Sequence, residues 1–155
     1  MEPIVWHVLD GYLGVHDTDW RTAFRDLAAR NDSAIAATDK RAAAARDATK
    51  GPALPLARYA GHYEDAWYGG IDIAVEDGHL VIRFGHTPLL VGDLSHWQYE
   101  TFLVRWRDRE LRADAYITFT LDAQGRVSEA RMTPASPSVD FSFDFQDLKL
   151  VPARR

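Results

Sequence analysis

The chain contains no cysteine among its 155 residues. This absence excludes disulfide bonds, thiolate zinc sites and cysteine nucleophiles, but it leaves the compartment open. No stretch approaches the length of a membrane-spanning helix. The apolar segment from Ile4 to Val15 lacks a basic start and is interrupted by His7, Asp10 and two glycines. The sequence therefore predicts neither a signal peptide nor a membrane span in this chain, and it does not assign a localisation.

Basic residues are fewer than acidic ones, 18 against 23. The net charge is -5, and no dense stripe of lysine and arginine with interleaved aromatic residues occurs. This balance argues against a nucleic acid or an anionic membrane as partner. Hydrophobic residues make up 46% of the chain and aromatic residues 12%, which is enough to bury a core. We therefore expect one folded domain, or a smaller one with an appendage.

The sequence divides into two halves of different composition. Residues 1–50 are the more alanine-rich part, holding half of the alanine in about a third of the chain, with helical apolar spacing from Ile4 to Leu13 and a stop at Gly14. A second helix is predicted to begin after an N-cap at Asp17 or Thr18, and to break or be recapped at residues 31–33. The alanine-rich run that follows, up to residue 50, is typical of a solvated helical spacer.

The second half consists of short alternating segments separated by explicit turns, such as "EDGH" at 76–79 and "DAQG" at 122–125. Eight strands with short connections predict an up-and-down antiparallel barrel or a sandwich, and a barrel of about eight strands is filled by side chains or holds one small ligand. The predicted strands are Arg58–Glu64, Gly70–Glu76, His79–Gly85, Leu89–Leu94, Thr101–Asp108, Arg112–Leu121, Val127–Pro134 and Val139–Val151.

Four segments in order carry a family resemblance: "LPLARYAGHYEDAWYGGIDIAVEDGHLVIRFG", "LSHWQYETFLVRWRD", "ITFTLDAQGRV" and "VDFSFDFQDLKL". Over residues 54–151 they resemble an uncharacterised domain family that follows the catalytic domain in bacterial serine hydrolases related to class C β-lactamases and penicillin-binding proteins. The resemblance implies a lipocalin-like accessory β-barrel over 54–155. It also implies that residues 1–30, with "WHVLDGYLGVHDTDW", end a hydrolase domain and that 31–53 form the linker.

The catalytic motifs of those hydrolases are missing from this chain. They use a serine in S-x-x-K, a Y-x-N element and a K-T-G or H-x-G strand, and these groups act together. No serine here is followed three residues later by lysine, no tyrosine begins Y-x-N and no histidine begins H-x-G. The sequence therefore predicts a chain that is not an enzyme and needs no cofactor.

The stretch "VDFSFDFQDLKL" raises the question of an acidic site. As a strand it would place Asp140 and Asp144 about 13 Å apart on one face. Paired carboxyl groups of glycosidases lie about 5–9.5 Å apart, so these two do not form a catalytic pair. We expect Val139, Phe141, Phe143 and Phe145 to face inward. At Asp147 the alternation slips, which predicts a bulge whose backbone N–H groups this carboxylate binds.

Two aromatic pairs are the candidate binding residues. "YEDAWYGG" places Trp67 and Tyr68 in a turn, and "SHWQYETF" does the same for Trp97 and Tyr99. They would pack at the rim of the barrel or frame an opening for a small apolar or cell-wall-derived ligand. The histidines lack metal-ligand spacing, so no metal site is predicted; those considered are His62, His79, His86 and His96.

Three functions are compatible with these features. The first is a non-catalytic accessory domain that packs on a serine hydrolase in the same polypeptide or shapes access to its active site. The second is a freestanding lipocalin-like binder, which requires an apolar cavity of about 300 Å³ or more. The third, disfavoured by the missing motifs, is an enzyme in its own right. The apolar helix at residues 4–13 would be left uncovered without a hydrolase domain, so we expect the isolated chain to self-associate.

Overall fold

The structure is a computed structural model of the chain, and it describes residues 2–15, 18–140 and 142–153. The chain divides into two compact units, Met1–Arg41 and Ala42–Arg155. Among the described residues, no helix is both long enough and apolar enough to span a membrane.

Two helices occupy the beginning of the chain. Helix α1 spans Glu2–Leu13 and ends where Gly14 takes a positive φ of 68°. Helix α2 spans Trp20–Ala45. Its cap is Asp19, whose carboxylate accepts hydrogen bonds from the backbone N–H of Thr22 at 3.2 Å and from its hydroxyl at 2.7 Å. The prediction of Thr18 as cap is therefore wrong by one residue, and Asp17 lies outside the described residues.

Helix α2 does not break at residues 31–33, contrary to the expectation from sequence. The hydroxyl of Ser33 donates to the backbone carbonyl of Ala29 at 2.8 Å, so its polar group is satisfied within the helix. None of the described residues of α2 is buried. The helix ends at Ala45, and residues 46–55 continue as a loop into a short 3-10 helix at Leu56–Arg58.

The second unit is a closed eight-stranded barrel in which each strand pairs antiparallel with its sequence neighbour and the last strand pairs with the first. The predicted up-and-down barrel is confirmed. The strands are β1 Gly61–Asp65, β2 Gly69–Glu76, β3 His79–Phe84, β4 Val91–Gln98, β5 Thr101–Trp106, β6 Ala115–Leu121, β7 Val127–Pro134 and β8 Lys149–Pro152.

The predicted final strand, Val139–Val151, is wrong over most of its length. Strand β8 has only four residues, and the preceding segment forms turns and a 3-10 helix at Phe145–Asp147. The carboxylate of Asp140 accepts from the backbone N–H of Ser142 at 2.8 Å, which stabilises a turn in place of a strand. Asp147 lies exposed in the 3-10 helix and not at a bulge. Phe145 is buried as expected, whereas Phe141 lies outside the described residues.

Aromatic side chains fill the barrel from both ends. At one end Tyr59 follows the first 3-10 helix, is completely buried, and packs its ring on Phe102 and Phe119 with centroid distances of 5.3 and 4.9 Å. At the other end Phe145 stacks on Trp106 at 5.8 Å. The indole of Trp106 has space because Gly92 lies beneath it, where an added Cβ would come within 2.9 Å of the ring. The interior is thus a packed core.

Successive connections of an up-and-down barrel lie at alternate ends of the barrel. In this barrel, the connections at one end are short and most of those at the other end are longer. One end, here named the linker end, carries the tight turns at 77–78 and 99–100, the turn at 122–126 and the segment that enters β1. The other, here named the loop end, carries the turn at 66–68 and the longer connections 85–90, 107–114 and 135–148. Functional side chains are therefore most expected at the loop end.

Candidate functional site

The two predicted aromatic pairs lie at opposite ends of the barrel. Trp67 and Tyr68 belong to the β1–β2 turn at the loop end, whereas Trp97 and Tyr99 belong to the β4–β5 hairpin at the linker end. The predicted strand order already implies this, because the two pairs belong to the first and the fourth turn and successive turns of an up-and-down barrel lie at alternate ends. The four side chains therefore do not frame one opening, and each pair needs its own account.

At the linker end, Trp97 is covered by the chain itself. The guanidinium of Arg46 lies over the indole of Trp97, 4.8 Å from the ring centroid. The same guanidinium donates to the backbone carbonyls of Trp97 at 2.7 Å and His96 at 3.2 Å. On its other side Trp97 packs against the ring of Tyr116 at 5.1 Å. Trp97 thus fixes the segment that follows α2.

The neighbouring residues of this hairpin extend the same attachment. The backbone N–H of Tyr99 donates to the carbonyl of Lys50 at 3.0 Å, and Tyr99 has a positive φ of 47° at the tip of the turn. The carboxylate of Glu100 accepts from the backbone N–H of Ala53 at 2.9 Å and from the hydroxyl of Tyr59. Burial, followed by this hydrogen bond to Glu100, raises the pKa of Tyr59. Together these contacts hold residues 46–59 on the linker end. Trp97 contributes to them with its ring, whereas Tyr99 contributes its backbone N–H and its side chain is 54% exposed.

At the loop end, Asp65 shapes the turn that presents the other pair. Its carboxylate accepts from the backbone N–H groups of Trp67 at 2.8 Å and Tyr68 at 3.0 Å, and from that of Lys149 in β8 at 2.8 Å. Burial, the largest influence, raises the pKa of Asp65, but the three N–H donors and the charge of Arg131 together outweigh it and the net pKa is lowered. Asp65 therefore performs the backbone-binding role that the sequence assigned to Asp147.

The turn sends its two aromatic side chains in different directions. Trp67 is 93% exposed, whereas Tyr68 is half-buried and packs against the core cluster. Tyr68 lines a cavity of about 200 Å³ at the loop end. The other lining residues come from the 85–90 and 135–148 connections and the adjoining strands; they are Phe84, Thr87, Leu90, Ser142, Phe143, Asp144, Phe145 and Leu148.

The electrostatic surroundings of this cavity are negative. Burial raises the pKa of the Tyr68 hydroxyl, and the charges of Asp144, Asp147 and Asp65 raise it further. Asp144 precedes the 3-10 helix Phe145–Asp147, and its side chain makes no capping hydrogen bond to it. The sequence pattern places Asp144 only as one of a strand pair and gives no link to Tyr68. The missed signal is the run from residue 133 to 148, which carries three aspartates and no basic residue.

The histidines take separate positions. His62 contacts Asp72 at 2.7 Å, His79 contacts Asp93 at 3.1 Å, and His96 contacts the carbonyl of Tyr99 at 2.9 Å. The ring of His86 lies over Gly69, where an added Cβ would approach it to 2.5 Å. Within the described ranges, no group of three or more histidine, aspartate or glutamate side chains could hold a metal ion.

Comparisons with known proteins agree with this architecture. Residues 45–152, well over half of the chain, match the family described as a domain of unknown function (DUF3471). Among solved structures, the C-terminal domain of penicillin binding protein Rv0907 has the same fold, with a TM-score of 0.50 and 21% identity over 70% of this chain and 94% of that one. No curated protein matches the chain significantly. The chain therefore belongs to the family of the domain of unknown function DUF3471.

Proposed function

We propose that this domain is a non-catalytic accessory domain of a β-lactamase-related serine hydrolase, which packs on the hydrolase or shapes access to its active site. The observation that carries the proposal is the shared fold with a domain that forms the C-terminal part of a penicillin binding protein. The sequence agrees, since S-x-x-K, Y-x-N and K-T-G or H-x-G are all absent from the chain.

The packed interior favours this function over a freestanding lipocalin-like binder. Most large inward-facing side chains of the barrel are less than 5% exposed, among them Tyr63, Phe102, Trp106 and Phe119. The cavity at the loop end has a volume of about 200 Å³. Ligand pockets in proteins usually measure about 300–1,000 Å³. A domain with this core acts more readily through its surface than by enclosing a small molecule.

Two measurements test the accessory role. The natural reading frame is expected to encode an in-frame serine hydrolase domain with S-x-x-K upstream of these residues. The purified chain is expected not to turn over an activated ester or a chromogenic β-lactam. Turnover that disappears when one of the chain's serines is replaced by alanine would show an enzyme instead, and a reading frame without any hydrolase domain would leave the freestanding binder as the better proposal.

The exposed apolar side chains of helix α1 favour a second contact surface, which lies in the first unit. One side of the helix packs on α2, where the ring of Trp6 stacks on that of Trp20 at 5.2 Å and the carboxylate of Asp10 accepts from the indole N–H of Trp20. Other large apolar side chains of α1 are exposed; they are Ile4, Val5, Val8, Leu9, Tyr12 and Leu13. In the parent protein this face would cover the hydrolase domain, and in the isolated chain a second copy would cover it.

Light scattering on the isolated chain tests that self-association. Replacing Ile4 and Leu13 together by lysine is expected to convert a dimer or larger species to monomer, because it places two charges in the apolar face. The matched control replaces the exposed Ala37 and Ala44 of α2 by lysine and changes the net charge equally. A wild-type chain that is already monomeric, or equal dissociation of both variants, would contradict the proposal.

A further inference from the structure

The cavity at the loop end has the size of a receptor for one side chain. Its volume is about 200 Å³, below the usual range for small-molecule pockets. Its walls are largely aromatic, with Tyr68, Phe84, Phe143 and Phe145 among the lining residues. Phe143 and Phe145 stack on each other at 5.6 Å, which fixes one wall. Such a cavity suits an elongated side chain that enters from a protein surface.

Two exposed apolar residues are sequence neighbours of residues in the cavity wall. Trp67 is 93% exposed and is followed directly by Tyr68 of the wall. Leu89 is 66% exposed and is followed by Leu90 of the wall. Tryptophan is among the residues that contribute most to binding in protein interfaces. Because Asp65 binds two backbone N–H groups of the turn, the backbone that carries Trp67 is fixed before any partner arrives.

The negative charge around the cavity favours a positively charged binding partner. The three connections that line it, 66–68, 85–90 and 135–148, contain no lysine or arginine, and the last contains three aspartates. Asp144 reaches the cavity itself and makes no capping hydrogen bond. Of the three arginines in the fourth connection at this end, Arg107 pairs with Asp93 and Arg109 with Asp114. Arg112 is not among the residues that line the cavity. A carboxylate among aromatic rings favours a cation over a neutral or anionic group.

We propose that this cavity receives an arginine or lysine side chain from the hydrolase catalytic domain, with Trp67 and Leu89 contacting the surface around it. The basic group would lie against the faces of Tyr68 and Phe143 and pair with the carboxylate of Asp144. The identity of the partner rests on the proposed function, whereas the preference for a cation rests on the cavity alone.

An NMR titration of the full isolated chain tests the preference. N-acetyl-arginine amide is expected to shift the amide and ring signals of Tyr68, Phe143 and Asp144, and the neutral N-acetyl-citrulline amide, which has nearly the same shape, is expected to bind about tenfold more weakly. Asp144→Asn is expected to remove most of this difference. The control Asp77→Asn removes the same charge in the β2–β3 turn at the linker end, where the positive φ of 46° suits asparagine, and it should leave the titration unchanged.

The outcomes separate this inference from the proposed function. Equal binding of the two amides, no binding of either, or equal effects of the two variants would overturn the cation preference, whatever the parent protein is. If the cation binds as expected but the isolated catalytic domain from the same reading frame does not shift the Trp67 indole signal, the cavity is a cation site and its assignment to that partner is wrong. A spectrum of each variant without ligand checks that the barrel remains folded.

Discussion

The two ends of the barrel carry similar aromatic pairs but use them differently. At the linker end, Trp97 lies under Arg46 and the hairpin beside it binds the chain at Lys50 and Ala53. At the loop end, Trp67 projects almost fully exposed while Tyr68 lines a cavity with an acidic edge. Trp97 thus takes part in an intramolecular attachment at one end, whereas Trp67 remains accessible at the other.

This difference shows that an aromatic residue in a turn does not by itself indicate a binding site. Both pairs follow the same local pattern, an aromatic doublet or near-doublet at a hairpin. Their roles are decided by what the chain places beside them, which is a basic residue of the preceding segment at one end and aspartates of a later loop at the other. The comparison can be tested by removing the groups that hold each pair in place.

The largest effect is expected from Asp65→Ala. This change removes the acceptor for three backbone N–H groups, of Trp67, Tyr68 and Lys149, and so loosens both the turn and the junction with β8. Buried donors left without a partner are costly, and we expect the free energy of unfolding to fall by about 2–3 kcal/mol. Urea denaturation monitored by circular dichroism measures it. A loss below about 0.5 kcal/mol would show that water replaces the carboxylate without penalty.

The contribution of Asp65 should also depend on pH. Its pKa in the folded state is lowered from the ordinary value of 3.8, so the stabilisation is fully present above that ordinary value and is lost as the pH falls through the folded-state pKa. We therefore expect the difference in unfolding free energy between the wild type and Asp65→Asn to be constant from pH 7 to about pH 5 and to shrink below about pH 4. A difference that grows on acidification would contradict the lowered pKa.

A smaller effect is expected at the linker end from Arg46→Ala. The change removes one cation–π contact and two hydrogen bonds to the carbonyls of His96 and Trp97, all at an exposed position. We expect a loss of about 0.5–1 kcal/mol and a change in tryptophan fluorescence. Arg46→Lys keeps the charge but not the planar fork, so it should fall between alanine and wild type. Equal stability of all three proteins would argue against the attachment.

The smallest effect on stability is expected from Trp67→Ala. Because this side chain is 93% exposed, its loss should change the free energy of unfolding by less than about 0.5 kcal/mol. The same variant should weaken binding to a partner protein, whereas Arg46→Ala should not. A destabilisation of 1 kcal/mol or more, measured in the same urea experiment, would show that Trp67 packs within the domain and would remove the contrast between the two ends.

The barrel was predictable because its signals are local. Alternating apolar residues and turn signals such as Asp77-Gly78 and Gly125 define most of the hairpins, and the structure gives both of these glycines positive φ angles. The last strand was not predictable in the same way. The alternation from Val139 to Phe145 indicates a strand, yet Asp140 closes a turn with Ser142, and Phe143 and Phe145 pack on the core. Aromatic alternation alone does not distinguish a strand from a segment that covers a core.

The sequence by itself determined the number of strands, their order and their antiparallel pairing, since each depends on neighbouring segments. It also determined the absence of the hydrolase motifs. Tertiary contacts alone established that Asp65 rather than Asp147 binds the free backbone groups and that Asp144 lies beside Tyr68. These facts join residues up to 84 positions apart, as Asp65 and Lys149 are. Closure of the barrel creates such contacts, and local pattern does not encode them.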